Sequence, residues 1–169
     1  MEFDLLFRQA YKNEFLTVYR IPKSVHEYSF DSGDVKLGKG IKVRDGSNLT
    51  IVVSGPQLQS VHAACEGLTS LGWDPEILYI HTVRPLDTDL IRASVARTRR
   101  VLVVEEHMRT GGIGDDVLRA ICDLPDTKYS SLSIPDQFVT GYGSYEHHCK
   151  SLGFSKEGVI SQVESDLRK

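Results

Sequence analysis

Two carboxylates and a histidine stand together in the chain, at Glu105, Glu106 and His107. They follow an apolar run over residues 101–104, which predicts a strand buried on both faces. Ligands of open α/β sheets bind at the carboxyl ends of strands, so acid–base chemistry at this position is conceivable. Adjacent strand residues point to opposite faces, however, so the two glutamates are not expected to act as a pair. We favour a structural or interface role for the three residues, because perturbed carboxylates also occur in ordinary ion-pair networks.

A glycine-rich loop follows this polar turn, with glycines at Gly111, Gly112 and Gly114. It begins like the dinucleotide signature G-x-G-x-x-G, but Val117 stands where the third glycine would be. Two aspartates directly after the loop would also repel a phosphate at the start of the next helix. We therefore interpret the glycines as a tight structural turn rather than a nucleotide site.

The composition of the chain excludes several classes of protein. The 169 residues carry 40% hydrophobic and 25% charged side chains, which suits a globular domain with a single core. A net charge of −3 with no basic block argues against a nucleic-acid partner. The three cysteines lie far apart and no His or Cys spacing is typical of a metal site. No apolar run reaches membrane-spanning length and no signal peptide opens the chain, so we expect no membrane partner and a cytoplasmic location.

Strand-like and helix-like segments alternate from residue 37 onward. This alternation predicts a three-layer αβα domain around a mostly parallel sheet of about five strands. Asp45-Gly46 separates two strand-like runs and predicts a hairpin, with residues 37–44 antiparallel to residues 50–53. Asp87 and Ser155 stand where they would cap the helices that follow them.

The first part of the chain has a different pattern. Residues 2–13 carry apolar side chains at helical spacing, residues 14–20 are strand-forming, and residues 24–36 are polar and predict a linker. One helix and one strand cannot bury their own apolar sides, so they resemble the end of another domain. We expect them to pack on the main domain or on a second copy of the chain, which would give a homodimer.

Several short motifs occur in the order found in one enzyme family. The motifs are Thr-Val-Arg-Pro-Leu-Asp at 82–87, Val-Val-Glu-Glu-His at 103–107, Gly-Gly-Ile-Gly at 111–114, Ile-Pro-Asp at 134–136 and Leu-Gly-Phe-Ser-Lys-Glu-Gly at 152–158. Through them the chain resembles the C-terminal domain of transketolase and of 1-deoxy-D-xylulose-5-phosphate synthase over residues 37–169. Residues 1–36 resemble the end of the preceding pyrimidine-binding domain plus a linker.

The resemblance implies part of a thiamine-diphosphate-dependent enzyme that moves a two-carbon ketol unit between phosphorylated sugars. It implies that thiamine diphosphate and Mg²⁺ are held by the other domains or by an N-terminal subunit, so that this chain binds neither alone and has no catalytic residue. Arg20 matches the place where transketolases put an arginine near the substrate phosphate, a role that suits a bidentate guanidinium.

Two other interpretations remain open. Pyruvate dehydrogenase beta subunits end in a similar domain, which contacts other subunits of their complex, so the chain could be a partner-docking module. A nucleotide-binding domain that acts alone is the third interpretation.

Overall fold

The computed structural model describes residues 2–22, 24 and 27–168. The elements alternate as the sequence predicts, and a short 3-10 turn over Gly55–Gln57 follows the second strand. In chain order they are α1 (Glu2–Ala10), β1 (Ile41–Arg44), β2 (Leu49–Val53), α2 (Leu58–Ser70), β3 (Pro75–Tyr79), α3 (Thr88–Thr98), β4 (Arg100–Met108), α4 (Ile113–Ile121), β5 (Lys128–Ile134), α5 (Tyr145–Ser151) and α6 (Lys156–Asp166).

The five strands form one sheet in the order β1-β3-β2-β4-β5. β1 is antiparallel to β3, and the other neighbouring pairs are parallel. This confirms the predicted α/β class, with one antiparallel strand in a mostly parallel sheet. The sheet separates two apolar cores, one against α1, α2 and α6 and the other against α3 and α4.

The predicted hairpin is wrong in its partner strand. β1 pairs with β3, with Ile41 opposite Tyr79, and not with β2. β2 is buried at all five positions and pairs with β3 on one side and β4 on the other, which leaves it no edge for β1. The Asp-Gly turn instead packs on the start of β3, where the Ser47 N–H donates to the Asp74 carbonyl at 3.0 Å.

Both predicted helix caps are present. The Asp87 carboxylate accepts a hydrogen bond from the Leu90 N–H at 3.4 Å, and it also accepts from the Gly40 N–H at 3.1 Å. The Ser155 hydroxyl accepts from the Gly158 N–H at 3.2 Å. Asp87 therefore also joins α3 to the segment that leads into β1.

The N-terminal helix forms, but the predicted strand over residues 14–20 does not. Those residues run in irregular conformation, because no neighbouring strand in the described part of the chain offers them a ladder. Leu6 and Ala10 of α1 are buried on the main domain. The predicted linker has no regular structure where it is described, yet Val35 within it is fully buried. Lys23, Val25 and His26 lie outside the described residues.

None of the described helices is long and apolar enough to cross a lipid bilayer. The division of the chain at residue 36 stays a prediction.

Candidate functional site

The topology places a switch point between the carboxyl ends of β2 and β4. From β2 the chain connects to β3 on one side of β2, whereas β4 and β5 lie on its other side, so the direction in which the connections run across the sheet reverses between β2 and β4. In open α/β folds such a switch point is where ligands and partners bind. The 3-10 turn after β2 brings Gln57 to this place, and the end of β4 brings Glu105 and Glu106.

Glu105 is buried and holds the glycine-rich loop in place. Its Oε2 accepts a hydrogen bond from the Ile113 N–H at 2.7 Å, and its Oε1 accepts from the Gly114 N–H at 3.0 Å. Burial raises the pKa of the carboxyl group, and the two backbone N–H donors oppose that rise. The carboxylate thus caps the start of α4 from inside the protein.

Two of the three loop glycines are explained by the close approach of this carboxylate, and the third by its backbone conformation. A Cβ atom on Gly112 would overlap Glu105 Oε2, and one on Gly114 would lie 2.8 Å from Oε1. Gly111 has a φ of +82°, a conformation that glycine adopts without strain. The loop therefore needs glycine at all three positions, for steric room at two and for backbone conformation at one.

Glu106 points to the other face and binds a separate set of side chains. Its Oε1 accepts a hydrogen bond from Gln57 Nε2 at 2.7 Å and another from the Tyr145 hydroxyl. Cys149 Sγ lies 3.4 Å from the same Gln57 nitrogen. Burial raises the pKa of the Cys149 thiol, and burial together with the bond to Glu106 raises the pKa of Tyr145.

Arg20 reaches the same place from the N-terminal segment. Its Nη1 donates to the main-chain oxygen of Glu106 at 3.2 Å, across 86 positions of sequence. His107 is exposed and does not join this cluster, since its Nδ1 lies 2.8 Å from the carbonyl oxygen of its neighbour Met108. The structure thus separates the three predicted residues and gathers Arg20, Gln57, Tyr145 and Cys149 around Glu106.

Three backbone amides at or just before the start of α4 already have carboxylate partners. Glu105 takes two of them, and Asp115 Oδ2 accepts from the Gly111 N–H at 2.7 Å. Asp116 adds negative charge there and pairs with Arg84 and Arg119. Among the described residues, no three His, Cys, Asp or Glu side chains gather to hold a metal ion. The negative charge of these carboxylates disfavours an anion such as a diphosphate at the start of α4.

Comparison with known families decides what kind of domain this is. Residues 38–159 match the family described as "Transketolase, C-terminal domain". The chain belongs to this family. Its family is one of thiamine-diphosphate-dependent enzymes, and the resemblance seen in the sequence motifs is confirmed.

Two types of relative resemble this transketolase C-terminal domain to a similar degree. One is a subunit of the apulose-4-phosphate transketolase of Phocaeicola vulgatus, 31% identical over 84% of this chain and 45% of the relative. The other is the beta subunit of the pyruvate dehydrogenase E1 component of Porphyra purpurea, 34% identical over 74% of this chain and 39% of the relative. The chain therefore spans less than half the length of either relative, and both relatives are named as subunits.

A solved structure shares the fold. The chain superposes on a protein described as a split-gene transketolase, inactive beta4 tetramer, with a TM-score of 0.75, 22% identity and coverage of 84% of this chain and 46% of that one. This comparison supports the same five-stranded mixed sheet.

Proposed function

We propose that this chain is the C-terminal domain or subunit of a thiamine-diphosphate-dependent transketolase-type enzyme. In that enzyme a ketol unit passes between phosphorylated sugars, and this domain contributes to subunit assembly and to the edge of the active site. It is not catalytic alone. We place the enzyme in the cytoplasm and its action in carbohydrate metabolism, as the sequence predicts.

The observation that carries this proposal is the exposed apolar segment after α1. Phe15 is 83% exposed, Leu16 94% and Val18 83%. Burying one such side chain contributes about 1.5–3 kcal/mol, so leaving several in water is unfavourable. Contiguous exposed apolar surface usually marks an interface with another protein surface. A domain that assembles with the cofactor-binding part of an enzyme needs a surface of this kind.

The polar chemistry of the chain supports an assembly role. Glu105 caps its own loop and Glu106 binds its own side chains, so both carboxylates serve the fold. The start of α4 is filled by carboxylates and does not suit a diphosphate. In this proposal thiamine diphosphate and Mg²⁺ are bound by other domains or by an N-terminal subunit, and this chain supplies no step of the reaction.

Arg20 is the residue we propose at the edge of the active site. Its exposed side chain lies at the carboxyl ends of the strands, where the contact with the Glu106 carbonyl oxygen positions it. A guanidinium presents several donors in a plane and binds phosphate oxygens in a bidentate way. The proposed ligand is the phosphate of a sugar substrate bound largely by the rest of the enzyme.

A second function rests on an equally close relative. The similarity to the beta subunit of a pyruvate dehydrogenase E1 component supports the C-terminal part of a 2-oxo acid dehydrogenase. In that case the same domain would dock other components of the complex. The two candidate functions differ in the reaction of the complete enzyme. A transketolase-type enzyme transfers ketol groups, whereas a 2-oxo acid dehydrogenase decarboxylates 2-oxo acids, so an assay of both reactions distinguishes them.

Titration calorimetry of the purified chain with thiamine diphosphate and Mg²⁺ tests the absence of a cofactor site. We expect no saturable heat up to millimolar cofactor. The matched control is an intact transketolase under the same conditions, which should bind. Micromolar binding by this chain would contradict the proposal.

A further inference from the structure

We propose that the amino-terminal edge of the sheet carries a binding site for a small phosphate-bearing anion, with Arg100 and Arg168 as the residues that bind it. Six residues line a cavity of about 200 Å³ there: Asn48, Leu71, Gly72, Trp73, Arg100 and Arg168. The cavity lies where the parallel strands β2, β3 and β4 begin, so it is at the opposite end of the strands from Glu106 and Arg20. The inference adds a site to the chain and does not rest on the proposed function.

A tryptophan ring forms one wall of the cavity. Trp73 is buried, and its indole Nε1 donates a hydrogen bond to the Glu164 carboxylate. The guanidinium carbon of Arg100 lies 5.7 Å from the centroid of this ring, and that of Arg168 lies 5.9 Å from it. Both distances fall within the about 6 Å of a cation–π contact. The ring therefore holds two guanidinium groups beside the same cavity.

Arg100 is partly buried and has no carboxylate partner in the described part of the chain. Its Nε donates to the Leu167 carbonyl oxygen at 3.1 Å, and its two terminal nitrogens have no hydrogen-bond partner among the described residues. Removing a charged group from water is unfavourable unless it is paired. An anion in the cavity would supply the missing acceptors.

Arg168 is more fully paired but keeps one nitrogen for a ligand. Its Nε lies 2.8 Å from Glu164 Oε2, and its Nη2 donates to the Leu71 carbonyl oxygen at 2.7 Å. Its Nη1 has no hydrogen-bond partner in the part of the chain that the structure describes. Since Leu71 and Leu167 end helices α2 and α6, the two arginines are fixed to the fold before any ligand binds.

The charges around the cavity favour an anion. Arg100 and Arg168 place two positive charges there and Glu164 supplies one negative charge, which leaves an excess of one positive charge. Asp74, just before β3, is already paired with Arg44. An excess of positive charge in a cleft raises the local concentration of anions.

The size and the donors of the cavity select the class of anion. At about 200 Å³ it is smaller than the about 300–1,000 Å³ of drug-sized ligand sites, which favours one anionic group with a short organic part over a nucleotide. The Asn48 amide is already bonded to the main chain of Gly72 and Asp74, so guanidinium groups are the main donors left. A phosphate group has three strong acceptor oxygens, enough for both arginines at once.

Two-dimensional NMR of the isotope-labelled full chain tests the site, because Trp73 is the one tryptophan of the sequence and its indole N–H gives a single signal beside the cavity. Inorganic phosphate and glycerol phosphate are each titrated against sodium chloride at equal ionic strength. We expect the signals of the Trp73 indole and of Arg100 to shift and to saturate below about 10 mM. Equal or tighter binding of inorganic phosphate would identify the free ion as the ligand, and tighter binding of glycerol phosphate would identify a phosphorylated metabolite. Shifts that do not saturate, or that spare these residues, would overturn the inference.

Arg100→Gln should raise the dissociation constant for phosphate at least about tenfold, since it removes the incompletely paired guanidinium. The matched control is Arg119→Gln, which removes the same charge from α4, where Arg119 pairs with Asp116. Arg168→Gln is the second variant, used if circular dichroism shows that Arg100→Gln does not fold. Unchanged phosphate binding in the folded variant, or equal weakening by Arg119→Gln, would contradict the assignment. None of these results depends on cofactor binding or turnover, so they can fail while the proposed function stands.

Discussion

The side chains of Glu105 and Glu106 leave β4 on opposite faces and bind different elements of the fold. Glu105 accepts from two N–H groups at the start of α4, and Glu106 accepts from Gln57 and Tyr145. This division follows from the alternation of side chains along a strand, so it can be predicted from the sequence. The partners of Glu106 cannot be predicted in this way, because Gln57 and Tyr145 lie 49 and 39 positions away and no local sequence pattern links them to Glu106.

Gly112→Ala should destabilise the protein by about 1–3 kcal/mol. The Gly112 φ of −83° is ordinary, so backbone strain is not the cause. The reason is steric, since the new Cβ would overlap the Glu105 carboxylate and force it from its N–H partners. Urea unfolding followed by circular dichroism measures the change. Gly33→Ala is the control, because a Cβ there would have no neighbour within 4 Å; equal effects of the two variants would refute the steric account.

The three cysteines should differ in their reactivity toward a thiol reagent. Cys122 is exposed, whereas burial raises the pKa of the Cys65 and Cys149 thiols. The thiolate is the reactive form, so one thiol should react fast and two slowly at pH 8. Ellman's reagent measures the two phases. Cys122→Ser should remove the fast phase, and a fast phase that persists in this variant would contradict the burial of the other two.

His81 should make stability fall as the solution is acidified below its ordinary pKa of about 6.5. Burial lowers the pKa of His81, and the charge of Glu2 opposes this shift. The unfolded chain therefore binds a proton at a pH where the folded chain does not, and stability is lost as pH falls through this window. Unfolding by urea at pH 7.0 and pH 5.5 should show a smaller loss for His81→Gln than for the exposed control His147→Gln. Equal losses would refute this role.

At the scale of elements, one face of α1 packs on the main core although its outer face is exposed. Leu6 and Ala10 are buried, and Gln9 ties the helix to the chain before β1, donating to the Val35 carbonyl at 2.7 Å and accepting from the Leu37 N–H at 2.9 Å. The outer face of the helix carries Phe3 and Phe7, whose rings contact each other and the ring of Tyr19 in the segment after α1. The helix thus connects the core to this exposed apolar segment.

Leu6→Ala should therefore destabilise the chain by about 2 kcal/mol or more, since it removes a buried side chain from a packed core. Leu16→Ala is the matched control, because the same change at a 94% exposed position should alter the free energy of unfolding by less than about 0.5 kcal/mol. Both are measured by urea unfolding at low protein concentration. A neutral Leu6→Ala would mean that α1 is not part of this core.

The elements also show which features of the fold can be predicted from local sequence patterns. The strand over residues 101–104 and the caps at Asp87 and Ser155 were predictable, because each depends on neighbours within a few residues. The partner of β1 was not, since it depends on β2 having both of its edges taken by parallel strands. Residues 14–20 have strand-forming side chains but no strand beside them, so propensity alone misplaced them.

At the scale of the whole molecule, a five-stranded sheet with two cores carries exposed apolar side chains that suit contact with another protein surface. In the described part of the chain, Glu105 and Glu106 have structural hydrogen bonds, whereas aromatic and aliphatic side chains stay in water after α1 and after β5. The proposed function assigns this exposed surface to contact with the rest of an enzyme. The relatives extend to more than twice the length that this chain covers.

Reconstitution with a thiamine-diphosphate-binding subunit from the same genome tests the central claim most directly. The chain and the subunit are assayed separately and mixed, with thiamine diphosphate and Mg²⁺ present, for ketol transfer between sugar phosphates and for decarboxylation of 2-oxo acids. We predict no turnover by the chain alone and ketol transfer by the mixture, reduced at least about tenfold when the chain carries Leu16→Ser in the exposed apolar segment after α1. Decarboxylation by the mixture would favour the dehydrogenase alternative. Turnover by the chain alone, or by the subunit to the same extent without it, would contradict the account.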